Sequence, residues 1–335
     1  MAVAQTLSPR AYLPDQDGHR REVALLRSQW VILAHEGAVP DPGDNLAFDI
    51  LGCPVLVRRE AEGGVAAFLN TCPHRGGPLA WPGRSTTRLL QCRYHGWTFR
   101  DDGGLIEPVG FGSERAEIRC AGLKTRRLAV EIRDGLILAR LNADGEDIDP
   151  PPLPNRLASR LRDSALVSSE IFPASCNWKL YVENWLEPYH LQSLHRDLSD
   201  DIRGETYRVA CGPAWAEHSA NPGKGTYGGY WAFLYPATAI NFYIDGFSIE
   251  QISPLTETTC AVQYQFYRFQ NTGWESGITD EIALTRTVTG EDIAAAEHVQ
   301  KCLAAGIFET GYVSAEREAG ILAFHDFLNR GLAAP

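Results

Sequence analysis

Apolar positions change their rhythm near residue 150. Between Trp30 and Asn142, short apolar runs are cut by Gly, Pro and Asp: Val31–Ala34, Pro54–Val57, Ala66–Leu69 and Gly135–Ala139. Runs of that length between turn formers predict a small antiparallel β domain. Asp149–Pro154 then brings prolines at 150, 151, 152 and 154, which no helix interior accepts, and marks a boundary. Beyond it, Trp178–His195 has helical character. Strand-like runs follow at Tyr230–Tyr235, Ala239–Tyr243, Phe247–Ile252 and Cys260–Phe269, and helices are expected from about Asp280 to Ala305 and near Ala315–Leu328. The pattern is α+β in three parts: a helical segment over 1–29, a β domain over 30–145, and a domain over 146–335 with an antiparallel sheet and covering helices, on which the first segment is expected to pack. No internal repeat or low-complexity tract interrupts it.

Composition narrows the class of protein without naming a partner. The chain has 335 residues, 44% hydrophobic and 22% charged, as globular proteins do. A formal net charge of −11 argues against a general nucleic-acid binder. No apolar run approaches the roughly 18 residues of a membrane span, and Met1–Gly18 lacks the pattern of a secretory leader. Eight scattered cysteines are too sparse for a disulfide scaffold and suit a reduced, cytoplasmic chain.

Cysteine and histidine carry the strongest chemical signal. Cys72-Pro73-His74-Arg75-Gly76 is followed after Gln91 by Cys92-Arg93-Tyr94-His95-Gly96-Trp97. Each half offers one thiolate and one imidazole, the inventory of a [2Fe–2S] cluster with two Cys on one iron and two His on the other. Gly76, Gly77 and Gly96 would let backbone amides approach the sulfides. Zinc also accepts two Cys and two His, although its sites usually pair like with like along the chain. These loops resemble the two ligand loops of Rieske proteins. Gly77 and Tyr94 stand where the respiratory and photosynthetic members carry an extra disulfide, so the resemblance is to the disulfide-free ferredoxins and oxygenases.

A second site lies in Asn177–His195. Glu187 and His190 are three apart and share a helical face. His190 and His195 are five apart, about 140° around an ideal helix, so a straight helix cannot aim both at one metal. Pro188 gives a reason for local deformation or π-type widening. Two imidazoles and one carboxylate would make the facial triad of oxygen-activating Fe(II) enzymes. The carboxylate must come from far along the chain, with Asp280, Glu281, Glu291, Asp292 and Glu297 as candidates.

The segment resembles the mononuclear-iron motif of Rieske oxygenase α subunits, and Glu291-Asp292…Glu297-His298-Val299-Gln300 is similar to their ligand helix. The resemblance implies that His190, His195 and Asp292 bind iron, that Asn184 lies close to it, and that Glu187 replaces the bridging carboxylate. Most of the family has Asp there; Glu resembles the branch acting on quaternary ammonium compounds such as carnitine and glycine betaine. It further implies a homotrimer in which Glu187 joins His190 to His74 or His95 of the partner subunit.

The expected function is a terminal oxygenase that uses dioxygen and electrons from NAD(P)H, delivered by a ferredoxin and/or flavin reductase. It would hydroxylate or oxidatively demethylate an aromatic compound or a methylated or quaternary amine, with monooxygenation favoured. The competing readings are a pure electron carrier and a zinc-stabilised binding module. The aromatics between Trp185 and Phe247 could line a pocket or simply fill the sheet core; Phe242 and Tyr243, adjacent on one strand, cannot both face it.

Overall fold

The computed structural model describes residues 4–142, 149–195, 198, 202, 206–222, 226–270 and 278–333. The chain divides into two compact units, Arg27–Pro150 and Met1–Leu26 with Pro151–Pro335. The boundary expected between residues 145 and 146 lies outside the described residues.

In the unit Arg27–Pro150, all the sheet is antiparallel. Trp30–His35, Leu136–Arg140 and Ala129–Arg133 form one sheet, and Val65–Leu69, Cys53–Arg59, Asp44–Ile50 and Gly83–Thr86 form another. These strands contain the four apolar runs read from the sequence. A third sheet, Leu90–Gln91, Thr98–Phe99 and Leu105–Glu107, frames the second Cys/His loop. Leu56, Phe68, Leu79, Leu90 and Phe99 pack into one core with Cys72, Cys92 and Trp97, so the loop thiols are anchored in apolar packing.

The other unit is built on a seven-stranded antiparallel sheet. Its order is Ser164–Ala174, Thr259–Phe269, Gly246–Thr256, Thr238–Tyr243, Tyr227–Leu234, Trp215–Ser219, Arg208–Cys211. The four expected strands are present and longer than their apolar cores. Ser164–Ala174, at one edge, was not foreseen, because its exposed alternate positions include Val167 and Ile171 and hide the period. Helix Ile278–Ala304 matches its expectation, whereas the last helix runs over Ala319–Ala333 and starts later than expected, after a short strand at Tyr312–Val313. The first helix, Gln16–Ser28, sends Glu22 to the Trp178 indole N–H (2.8 Å) and to the Lys179 ammonium (2.7 Å). That bond pairs an otherwise buried cation.

Helix Ile278–Ala304 also buries Glu281 beside Asp245, which is paired with Arg268 at 2.9 Å. Burial, with the hydrogen bond and charge of Asp245, pushes the Glu281 carboxyl up to about 8. The folded chain therefore holds a proton that the unfolded chain releases near a normal carboxyl pKa of about 4.3. The stabilisation from this shared proton is complete at acidic pH and is lost as pH rises through about 8. Thermal unfolding of Glu281→Gln, whose amide can still donate to Asp245, should lose less stability than the parent between pH 6 and 9. Parallel curves for the two proteins would dismiss the shared proton.

Candidate metal centres

The two Cys/His loops fold alike. Cys72 N–H donates to the Gly77 carbonyl (2.8 Å) and Gly76 N–H to the Cys72 carbonyl (2.9 Å). Cys92 N–H donates to the Trp97 carbonyl (2.8 Å) and Gly96 N–H to the Cys92 carbonyl (3.0 Å). Gly76 and Gly96 occupy the same place in each turn, at φ 69° and 75°, a left-handed conformation that glycine adopts without a Cβ clash. The amide of Tyr94 points at Cys92 Sγ (3.4 Å), and those of His74 and Arg75 bond Cys72. A Cβ on Gly77 would lie 2.6 Å from Tyr94 Cβ and 3.1 Å from Cys92 Sγ, so the loops close over the sulfurs only because this residue has none.

The four expected donors come together as a cysteine pair and a histidine pair. Cys72 and Cys92 share a hydrogen bond, and the His74 and His95 rings lie 4.7 Å apart. His74 stacks on Trp97 at 4.5 Å, and its Nδ1 is buried without a hydrogen-bond partner. A buried, unpartnered ring nitrogen beside a second imidazole, in loops whose two thiols are paired with each other, fits a metal cluster. Burial raises the Cys72 thiol to about 11, which describes the protonated pair; metal coordination would favour the thiolate. Every described cysteine is free of disulfides.

The second centre depends on a broken helix. Asn177 caps Trp178–Trp185 through Lys179 N–H (3.0 Å). The helix stops at Leu186, since Pro188 has no N–H to continue the ladder. Glu187 then accepts the backbone N–H groups of Tyr189 and His190, and a second short helix, Leu191–Leu194, begins. The deformation expected at Pro188 is thus a break into two helices. His195, at φ −105° and ψ 73°, has left helical conformation, which frees its side chain to turn toward His190.

Ligand atoms of His190, His195 and Asp292 lie within 4.8 Å of one another. His195 Nε2 is 2.9 Å and His190 Nε2 3.6 Å from Asp292 Oδ1. The opposite ring nitrogens are held by acids: His190 Nδ1 by Glu187 (2.6 Å) and His195 Nδ1 by Glu291 (2.7 Å). Asn184 donates to Asp292 Oδ1 at 2.7 Å. Burial disfavours a charged His195, but hydrogen bonds and charge from Asp292 and Glu291 outweigh it and raise its pKa. The same pair of facing groups suits a metal cation.

Of the other candidate carboxylates, Asp280 is exposed, Glu281 faces Asp245, and Glu297 accepts from Ser175 N–H at 2.8 Å. Glu291, the neighbour weighed against Asp292, is a partner of His195 rather than a member of the triad. That role was not legible in the sequence. One residue of helical offset separates the two acids, and spacing alone does not say which reaches the imidazole's far side.

The triad borders a cavity of about 650 Å³, counting its open mouth. Trp185, Tyr207, Tyr227, Trp231, Tyr243 and Tyr264 form its aromatic walls. Strand alternation sends Trp231 and Tyr243 inward, while their neighbours Tyr230 and Phe242 belong to the core. Glu250 also lines it and was not anticipated, because a lone acid in a strand carries no motif.

The family of Rieske [2Fe-2S] domains matches residues 29–109, and that of ring-hydroxylating α-subunit catalytic domains matches 158–211 and 212–334, more than half of the chain. The chain belongs to the Rieske ring-hydroxylating oxygenase α subunits. This oxygenase is 26% identical to the carnitine monooxygenase oxygenase subunit of Escherichia coli (strain K12), over 96% of this chain and 92% of the relative. It is 25% identical to the chloroplastic choline monooxygenase of Amaranthus tricolor, over 97% and 77%. A solved quaternary ammonium Rieske monooxygenase, described for carnitine oxidation and inter-subunit electron transfer, superposes with a TM-score of 0.82. It covers 98% of this chain and 96% of that one at 22% identity. The fold is therefore the expected one, and the chain is an oxidoreductase subunit; neither the pure electron carrier nor the zinc module finds support. Among the described residues no helix is long and apolar enough to cross a membrane.

Proposed function

We propose that this chain is a terminal oxygenase in which Cys72, His74, Cys92 and His95 hold a Rieske cluster and His190, His195 and Asp292 hold Fe(II). The observation that carries the reading is the convergence of the last three ligand atoms beside an aromatic cavity. When bound, the cluster supplies single electrons and the mononuclear iron activates dioxygen. The substrate is a small aromatic compound or methylated amine that is hydroxylated or oxidatively demethylated.

The residues prepare the site for that chemistry. Glu187 and Glu291 accept from the Nδ1 atoms of His190 and His195, which keeps each Nε2 turned toward Asp292. Such acid partners fix imidazole orientation and raise its basicity as a ligand. Asn184 holds the Asp292 carboxylate in place. Aromatic side chains line the cavity beside the triad, where a bound substrate would displace water. Electrons come from NAD(P)H through a ferredoxin or flavin reductase. A homotrimer brings Glu187 against a cluster histidine of the partner subunit, in keeping with the inter-subunit electron transfer described for the similar structure.

The test measures oxygen and reductant consumption with product analysis against aromatic acids, methoxy-aromatics and methylated amines. Substrate-dependent oxygen incorporation is expected. Fully loaded protein that carries iron only in its cluster would refute the assignment.

A further inference from the structure

The cavity holds one acid that the iron site does not use. Glu250, on strand Gly246–Thr256, is 1% exposed and lines the cavity. Its carboxylate accepts from Tyr181 Oη (2.8 Å), Asn241 Nδ2 (2.9 Å) and the Trp185 indole N–H (3.2 Å), and Tyr264 bonds it as well. All of these donors are neutral. Among the described residues no Lys, Arg or His forms an ion pair with it. Burial raises the Glu250 carboxyl pKa despite those hydrogen bonds, because a charge removed from water is costly unless it is paired. The iron does not stand in for that partner, since Asp292 already lies against its histidines and Glu187 and Glu291 add two further acids.

We propose that Glu250 is the counter-charge for a cationic substrate, and that the cavity selects a fully substituted ammonium group. Aromatic faces attract cations through their quadrupoles, and Trp185 and Tyr264 both line the cavity and hydrogen-bond Glu250. The carboxylate oxygens are already occupied by neutral donors, so the ligand need not bring N–H groups of its own. A primary ammonium would need acceptors for three donors. The hydroxyls nearby are committed, Tyr243 to Ser248 and Thr285 and Tyr264 to Thr289. An N-methylated cation meets the charge and the rings and leaves no donor unpaired. This deepens the oxygenase reading, since the ligand named is the substrate of that same iron site.

Binding to the holoenzyme, measured by calorimetry without reductant, tests it with two probes of one shape: choline and dimethylbutanol, its uncharged carbon isostere. Choline should bind at least fivefold more tightly, and Glu250→Gln should bring the two affinities together while cluster absorbance and iron content persist. A preference below fivefold in the parent protein overturns the proposal whether or not the variant folds. So does a folded Glu250→Gln variant that keeps the parent's preference. Should that variant not fold, Glu250→Asp replaces it; the shorter acid keeps the charge, and a preserved preference alongside weaker binding of both probes supports the assignment. Loss of preference in that acid-bearing variant overturns it. Either failure leaves the oxygenase reading intact, because iron binding and oxygen incorporation are scored separately. Absence of mononuclear iron would sink that reading instead.

Discussion

Asp292→Ala should leave the cluster's absorbance and EPR signal unchanged while the protein loses its mononuclear iron and its product formation. Asp292 is 9% exposed and sits where both imidazole Nε2 atoms converge. Its removal deletes one of the three proposed ligands and leaves the Asn184 amide facing a void. The loss should exceed the roughly 10–100-fold that follows removal of a residue behind a metal ligand. Glu291→Gln supplies that comparison, because Glu291 touches His195 through Nδ1 only. It should weaken iron binding within that narrower range and leave measurable turnover. Metal analysis of both variants checks the order. Iron retained by Asp292→Ala but lost from Glu291→Gln would exchange the two assignments.

Glu187→Gln should keep both metals and yet form product up to about 100-fold more slowly, the upper end for a group supporting a ligand. Glu187 takes the His190 ring at 2.6 Å through one oxygen and the amides of Tyr189 and His190 through the other. The neutral amide can satisfy only one of those sides as an acceptor. The proposed contact with a cluster histidine of the partner subunit would lose its negative charge as well. Cluster oxidation in a single turnover, followed by absorbance, should slow in parallel with product. A variant with normal single-turnover oxidation would confine Glu187 to a local structural role.

Much of the candidate site was legible because its chemistry is written in short spacings. Cys72, His74, Cys92 and His95 fall in two loops whose glycines and ligands recur in the same order, and the structure folds both loops the same way. His190 and His195 were recognisable as a pair, and Pro188 flagged a deformation just ahead of them. The form of that deformation was not legible. Whether a proline widens a helix or ends it depends on what can take up the freed backbone groups, and here the Glu187 side chain does so.

By itself the sequence determined the α+β class, the antiparallel sheet of the first domain, the two sets of candidate metal donors and the strands with strong apolar runs. Those properties depend on local period and on residue type, which neighbours in the chain already express. Only the tertiary structure decided that Asp292 faces the histidines while Glu291 stands behind one of them, and that Glu281 is buried against Asp245. It alone brought Glu250 into an aromatic cavity. Each of these rests on groups brought together across the sheet and the long helix. Their energies depend on burial and on distances of a few ångströms, which no local pattern along the chain records.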